Sequence, residues 1–242
     1  MLSGRVALVT GASGGIGRRI AERLAEEGVA VALAYGSNAE PAEQLASGIA
    51  NSGGRAVAIG ADLSDAGDTE RLATAADRAL GPIDILVANA GTGSATDYQD
   101  VDAATFDHVL AVNLRAPFLL AREVLPGMRE RGFGRILFTS SVAAFTGGIV
   151  GPHYAASKAG LHGLTHHLAA RVAHDGVTVN AIAPALIEDT GLLPGAPDEL
   201  AQRIPVRRLG RPEEVADLAI AILTNGYLTN QVVSLDGGMH PR

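Results

Sequence analysis

The chain has 242 residues, 47% of them hydrophobic and 19% charged, with 30 glycines and a formal net charge of -7. That length suffices for a substantial buried core, and the acidic balance offers no basic surplus for nucleic acid or an anionic membrane surface. Cysteine is absent, which excludes disulfides, thiolate catalysis and thiolate-bound metal.

The opening segment Met1-Leu2-Ser3-Gly4-Arg5 runs directly into a strand-like run. It lacks the charged and apolar regions of a signal peptide, and no apolar stretch approaches the ~18 residues of a membrane span. A cytoplasmic protein without a membrane partner is expected. Short apolar, β-branched runs at 6–10, 30–34, 56–60, 83–88, 135–139, 178–183 and 232–235 predict seven strands. Segments between them carry helical spacing, as in Ile16, Ile20 and Leu24 or Val215, Leu218 and Ile222. Such alternation predicts an α/β fold, a doubly wound parallel sheet with helices on both faces. No linker-like stretch interrupts it, so a single domain over 1–242 is expected.

Directly after the first strand comes Thr10-Gly11-Ala12-Ser13-Gly14-Gly15-Ile16-Gly17, which opens a helix. Glycines there turn the chain tightly, admit a pyrophosphate against the backbone and aim a helix N-terminus at its charge. An isolated glycine run is often only a turn; its place between a strand and an apolar-faced helix argues for a dinucleotide. The spacing of Gly11, Gly15 and Gly17 resembles that of the short-chain dehydrogenase/reductase family, one residue longer than the common dinucleotide fingerprint.

The second strand ends in Ala34-Tyr35-Gly36-Ser37-Asn38, without the carboxylate that would bind the ribose 2′-hydroxyl of NAD. NADP(H) is therefore expected in preference to NAD(H). Many relatives using NADP place a basic residue where this chain has Gly14, so Ser37, Asn38, Arg18 and Arg19 become candidates for the phosphate. Ala61-Asp62-Leu63 and Asn89-Ala90-Gly91 close the third and fourth strands, at the sheet edge where such folds bind ligands. The resemblance implies that Asp62 and Leu63 flank the adenine. It gives Asn89 the double task of bracing the central strands and lining the cofactor cleft.

Tyr154 and Lys158 stand at i and i+4, so a helix would project both from one face. A free phenol titrates near ~10, and a neighbouring cation favours its ionised form. Such pairs are common on solvated helix faces. Two further positions tip the reading toward chemistry: Ser141 lies at the family's distance before Tyr154, and Asn113, in Val112-Asn113-Leu114, matches the family's asparagine. The resemblance then implies that Ser141, with Ser140 as a second hydroxyl, binds a substrate carbonyl oxygen. Tyr154 exchanges the proton on that oxygen while hydride passes between carbon and nicotinamide. Lys158 lowers the phenol's pKa and holds the nicotinamide ribose, and Asn113 anchors a water leading to Lys158.

Pro184-Ala185-Leu186-Ile187-Glu188-Asp189-Thr190 resembles the family's nicotinamide-proximal segment. It implies cofactor contacts from Pro184, the backbone of Ile187, and Thr190. Ala185 stands where glycine is usual, and the order Asp189-Thr190 is reversed. Residues 191–204, rich in glycine, proline and small side chains, are expected to form a substrate lid, with Leu192 and Leu193 facing either core or ligand.

The segments beginning at Arg207 and Tyr227 look like bacterial 3-oxoacyl-carrier-protein reductases, which extends the likeness from Gly4 to Gly238 and implies a homotetramer. Gly132 and Asp175 occupy the positions of two arginines used by the fatty-acid enzymes, which speaks against docking of acyl carrier protein, although Arg129, Arg131 and Arg171 lie near in sequence. His162 and His166 have metal-compatible spacing, but no acidic partner shares their face, so no metal is expected. His153 is read as polar packing beside Tyr154. Three functions stay open at this level: a 3-oxoacyl thioester reductase, a reductase of the same mechanism acting on a free ketone, alcohol, sugar or secondary metabolite, and a dinucleotide-binding regulator without turnover.

Overall fold

A computed structural model describes residues 2–191, 193 and 195–240. Seven strands, β1 (Val6–Thr10), β2 (Ala30–Tyr35), β3 (Ala56–Gly60), β4 (Ile85–Ala88), β5 (Gly134–Thr139), β6 (Val177–Pro184) and β7 (Val232–Leu235), form one parallel sheet in the order β3-β2-β1-β4-β5-β6-β7. The inner strands β1, β2 and β4 read as nearly continuous apolar runs because both faces are covered. Alternation within the strands sorts side chains between the two faces: Ala7, Val9, Val31, Leu33, Ile85 and Val87 enter one core, and Leu8, Ala32, Ala34, Leu86 and Ala88 the other.

Helices α1 (Gly15–Glu26), α2 (Glu40–Asn51) and α9 (Pro212–Thr224) bury Ile20, Leu24, Leu45 and Val215 in the first core. Helices α3 (Ala66–Leu80), α5 (Ala116–Glu130) and α7 (Pro152–Val172) bury Leu72, Leu120 and Leu161 in the second. Helix α4 (Ala103–Leu110) runs into a π-helical turn, Ala111–Arg115, before α5, and two short helices, α6 (Ala143–Thr146) and α8 (Pro197–Ala201), lie near the site. The chain crosses from the outer strand β3 to β4 on the far side of β1, and the resulting crevice between β1 and β4 is where open α/β sheets take ligands.

All seven expected strands are present, with small shifts of boundary. Strand β4 begins at Ile85 rather than 83: the Ile83 carbonyl accepts from the Arg131 guanidinium at 2.7 Å and not from a neighbouring strand, while the Asp84 backbone already bonds to Val6 and Arg135 at 2.9 Å each. Among the described residues no helix is long and apolar enough to cross a membrane.

Candidate active site

A cleft of about 820 Å³ opens along the C-terminal ends of the strands. Its floor is the loop between β1 and α1. Gly11 has φ 66°, and a Cβ on Gly17 would lie 2.2 Å from the Gly11 carbonyl oxygen and 2.6 Å from Asn89 Nδ2. No side chain caps α1 at Gly14, and its first turn carries no acidic residue. The uncapped N–H groups and the helix dipole thus face the cleft with a positive end that suits a diphosphate. A glycine cradle that a Cβ would fill, opening on an uncapped helix, fits a dinucleotide.

Of the residues expected to bind it, Gly11, Ser13, Gly14, Gly15, Ile16, Gly17, Tyr35, Ser37, Asp62, Leu63, Asn89, Ala90, Gly91, Tyr154, Lys158, Pro184, Ile187 and Thr190 all line this cleft. Asn89 also ties three strands together: its Nδ2 donates to the Thr10 carbonyl at 3.2 Å and its Oδ1 accepts from Thr139 Oγ1 at 3.2 Å. The Asp62 carboxyl is held below its ordinary range by hydrogen bonds from the Ser64 hydroxyl and N–H.

Two expectations about the cofactor are not matched by the geometry. Asn38 stands outside the cleft wall, since the chain turns away toward α2 after Ser37. Arg18 and Arg19 are both drawn onto Glu22, at 3.0 and 2.6 Å, and Arg19 also reaches Glu213 at 2.7 Å. Their charge bridges α1 to its own next turn and to α9 instead of facing the ribose end. Ala185 has no positive φ, so the absence of glycine there carries no strain. Asp189 does, at 57°, and its carbonyl oxygen sits 2.6 Å from where a Gly15 Cβ would be.

The catalytic candidates converge at the other end of the cleft. Pro152 starts α7 at its first helical position, where a missing N–H costs nothing, and one turn separates the buried Tyr154 from the buried Lys158. The Lys158 ammonium lies 5.6 Å from the Tyr154 ring centre and donates to the Thr139 carbonyl at 2.7 Å. Burial pulls its pKa down to about 8. Burial also pushes the Tyr154 phenol up, and a hydrogen bond with Ser141 opposes that rise. Desolvation outweighs the lowering that the sequence suggested for the phenol.

Ser141 follows β5 and its Oγ also accepts from the Ala143 N–H at 3.1 Å. Ser140 is turned the other way: its hydroxyl donates to the Lys158 carbonyl at 3.0 Å and meets His162 Nε2 at 2.8 Å. It lines the cleft but braces α7 against β5 with its hydroxyl. Asn113 lies behind the cleft wall, fully buried in the π turn. Its side chain exchanges two 2.8 Å hydrogen bonds with the backbone of Thr92 and donates to Ser157 Oγ at 3.1 Å. Its own carbonyl would look for an α-helical donor at position 117, a proline without an N–H.

Sequence reasoning passed over Thr92, His108, Val112, Ile149, Val150 and Leu186, which also line the cleft. The glycines around Ile149 and Val150 were the available signal. Leu193 lines it as well and packs toward Leu200, Ile204 and Leu209, so it serves both core and cleft; Leu192 lies outside the described residues. His166 meets Asn230 at 2.6 Å and His162 meets Ser140, so the two histidines have separate partners. His153 is fully buried with neither ring nitrogen hydrogen-bonded within the protein. Arg129 is neutralised by Asp175 at 2.6 Å, and Arg131 is turned to Asp84.

The sequence model of the short chain dehydrogenase family matches residues 5–200. An acetoacetyl-CoA reductase of Allochromatium vinosum is 39% identical over 97% of this chain and 98% of its own length. A 3-oxoacyl-[acyl-carrier-protein] reductase FabG of Aquifex aeolicus is 37% identical, with 98% of each chain covered. Among solved structures, a blue fluorescent protein from a metagenomic library, in complex with NADPH, superposes with a TM-score of 0.93 at 33% identity over 99% of both chains.

Proposed function

The chain belongs to the short-chain dehydrogenase/reductase family of oxidoreductases, and from that premise we propose that it interconverts a ketone and a secondary alcohol with NADP(H), acting on 3-oxoacyl thioester-like substrates. The observation that carries this reading is the placement of Tyr154, bonded to Ser141 and beside Lys158, at one end of a cleft whose other end is a glycine cradle.

A bound nicotinamide dinucleotide would supply the hydride. The protein's own groups supply the rest. Ser141 donates a hydrogen bond to the carbonyl oxygen and holds the negative charge that develops there. Tyr154 gives its phenolic proton to that oxygen, so one hydride and one proton together convert ketone to alcohol; the reverse reaction returns both. Lys158 holds the ribose end and, once protonated beside the phenol, offsets the penalty that burial imposes on the phenolate. Asn113 fixes the Thr92 strand end and α7 in register and anchors a water toward Lys158.

Preference for NADP(H) draws support from the carboxylate-free wall of Tyr35, Gly36 and Ser37 and from the NADPH complex of the structural relative. The thioester reading draws on the reductase relatives. A free thioester or small ketone suits the site better than a carrier-bound one, because Arg129 already spends its charge on Asp175. Residues 191–204 serve as the lid of a single domain. A cytoplasmic homotetramer completes the proposal, its contact drawn to the apolar groove of Leu110, Leu114, Phe118 and Leu164.

NADPH oxidation by acetoacetyl-CoA, followed with and without enzyme, tests the reading. Turnover lost in Tyr154→Phe supports it. NADPH binding with no turnover on thioesters or simple ketones would instead establish a dinucleotide-binding protein without this activity.

A further inference from the structure

Gly147, Gly148 and Gly151 all have positive φ, at 86°, 65° and 148°. Between them stand Ile149 and Val150, and the Thr96 N–H pins the Val150 carbonyl at 2.9 Å. The backbone here is contorted to hold two apolar side chains in the cleft: Val150 is 9% exposed, while Ile149 sits at the rim, 44% exposed. Val150 packs with Ala143 and Tyr154 in a small apolar cluster separate from both sheet cores. Leu186 and Leu193, which line the same cleft, extend a second one, built on Leu200, Ile204 and Leu209.

Charge is distributed unevenly. Among the described residues lining the cleft, the charge-bearing side chains are Asp62, His108 and Lys158. Asp62 lies just beyond β3, four strands from β5 and the Ser141 that follows it, or about 19 Å at the usual strand spacing, and His108 acts electrostatically on Asp62 at that remote end. Lys158 is buried and already donates to Thr139. A carboxylate or phosphate beside the reacting carbonyl would lose its water with no cationic partner waiting, a costly exchange.

We propose that Ile149 and Val150, with Leu186 and Leu193, select substrates whose ketone carries an uncharged, apolar arm, and reject free keto acids, sugar phosphates and polyols. This rests on the ketone-reduction reading above. It assigns to the 147–151 segment a specificity role at the site.

The test is the NADPH-dependent reduction of ethyl acetoacetate, ethyl 3-oxohexanoate and acetoacetate as the free acid, by wild type, Val150→Ser and Ile149→Arg. The ethyl ester should exceed the acid in kcat/KM by at least about tenfold, and each added methylene should contribute roughly a threefold to fourfold gain. Val150→Ser should erase the chain-length gain while leaving NADPH affinity in place, and Ile149→Arg should shift the acid-to-ester ratio about tenfold toward the acid. Equal use of acid and ester, or a chain-length gain untouched by Val150→Ser, overturns this inference alone. No turnover on any of the three, with NADPH still bound, overturns the ketone-reduction reading and this inference with it.

Discussion

The Lys158 ammonium is tethered to the Thr139 carbonyl at 2.7 Å, in a fully buried position one helical turn from the Tyr154 phenol. The tether joins α7 to the end of β5, and so fixes the distance between the proton-bearing group and the strand end that presents Ser141.

Removing the phenol's hydroxyl isolates its chemical role. Tyr154→Phe keeps the ring that packs on Ala143 and Val150, so NADPH affinity measured by fluorescence titration should stay within about threefold while turnover falls by about 10³ or more. Lys158→Ala should weaken both binding and turnover. A Tyr154→Phe enzyme with near-native kcat would falsify the assignment.

The buried lysine makes ligand-free stability depend on pH. Its pKa drops from 10.5 to about 8 on folding, so between those values the unfolded chain binds more protons and stability from this group rises with pH. Below about 8 the fold carries a buried charge that costs on the order of 3 kcal/mol, partly offset by the Thr139 hydrogen bond. Lys158→Met should therefore raise Tm by about 5 °C at pH 7 in the absence of cofactor, with the gain fading by pH 10. A constant difference across that range, read by calorimetry, would place the effect in packing instead.

Cofactor choice turns on one open position. A Cβ added at Gly36 would meet no atom within 4 Å, and the position has no positive φ. Gly36→Arg should tighten NADPH about tenfold by pairing with the 2′-phosphate, and Gly36→Asp should reverse the preference toward NADH. Ratios of kcat/KM for the two cofactors read both effects; an unchanged ratio in each variant would remove this wall from the phosphate site.

Gly17 tests the cradle itself. A Cβ there collides with backbone at 2.2 Å, and backbone cannot yield as a flexible side chain can. Gly17→Ala should weaken NADPH by more than about tenfold and lower Tm, whereas Gly48→Ala, at an exposed position of α2 with nothing within 4 Å, should leave binding unchanged and stabilise slightly.

The positions of the strands along the chain and most of the residues lining the cleft were legible because they depend on local patterning. Runs such as Val6–Thr10 announce a buried parallel strand without reference to anything distant, and the spacing of Gly11, Gly15 and Gly17 announces the tight turn that opens α1. The Tyr154 and Lys158 pair is equally local, one turn of one helix. Less legible was the π turn at Asn113, since the adjoining segments read as one helix and the altered hydrogen-bond register has no composition of its own.

By itself the sequence determined the parallel α/β sheet, the glycine loop after β1 and the one-turn spacing of Tyr154 and Lys158, because each is specified by residues close together in the chain. Only the tertiary structure decided which way the competing side chains turn. Ser140 and Ser141 are adjacent and chemically alike, yet His162 and the Lys158 carbonyl claim the first while Tyr154 meets the second. Arg19 was free to choose a phosphate until folding brought Glu213 within 2.7 Å, and Ile149 and Val150 became cleft wall only when Thr96 pinned their loop. A side chain's direction is set by the partners packing brings to it, and those partners came from distant parts of the chain.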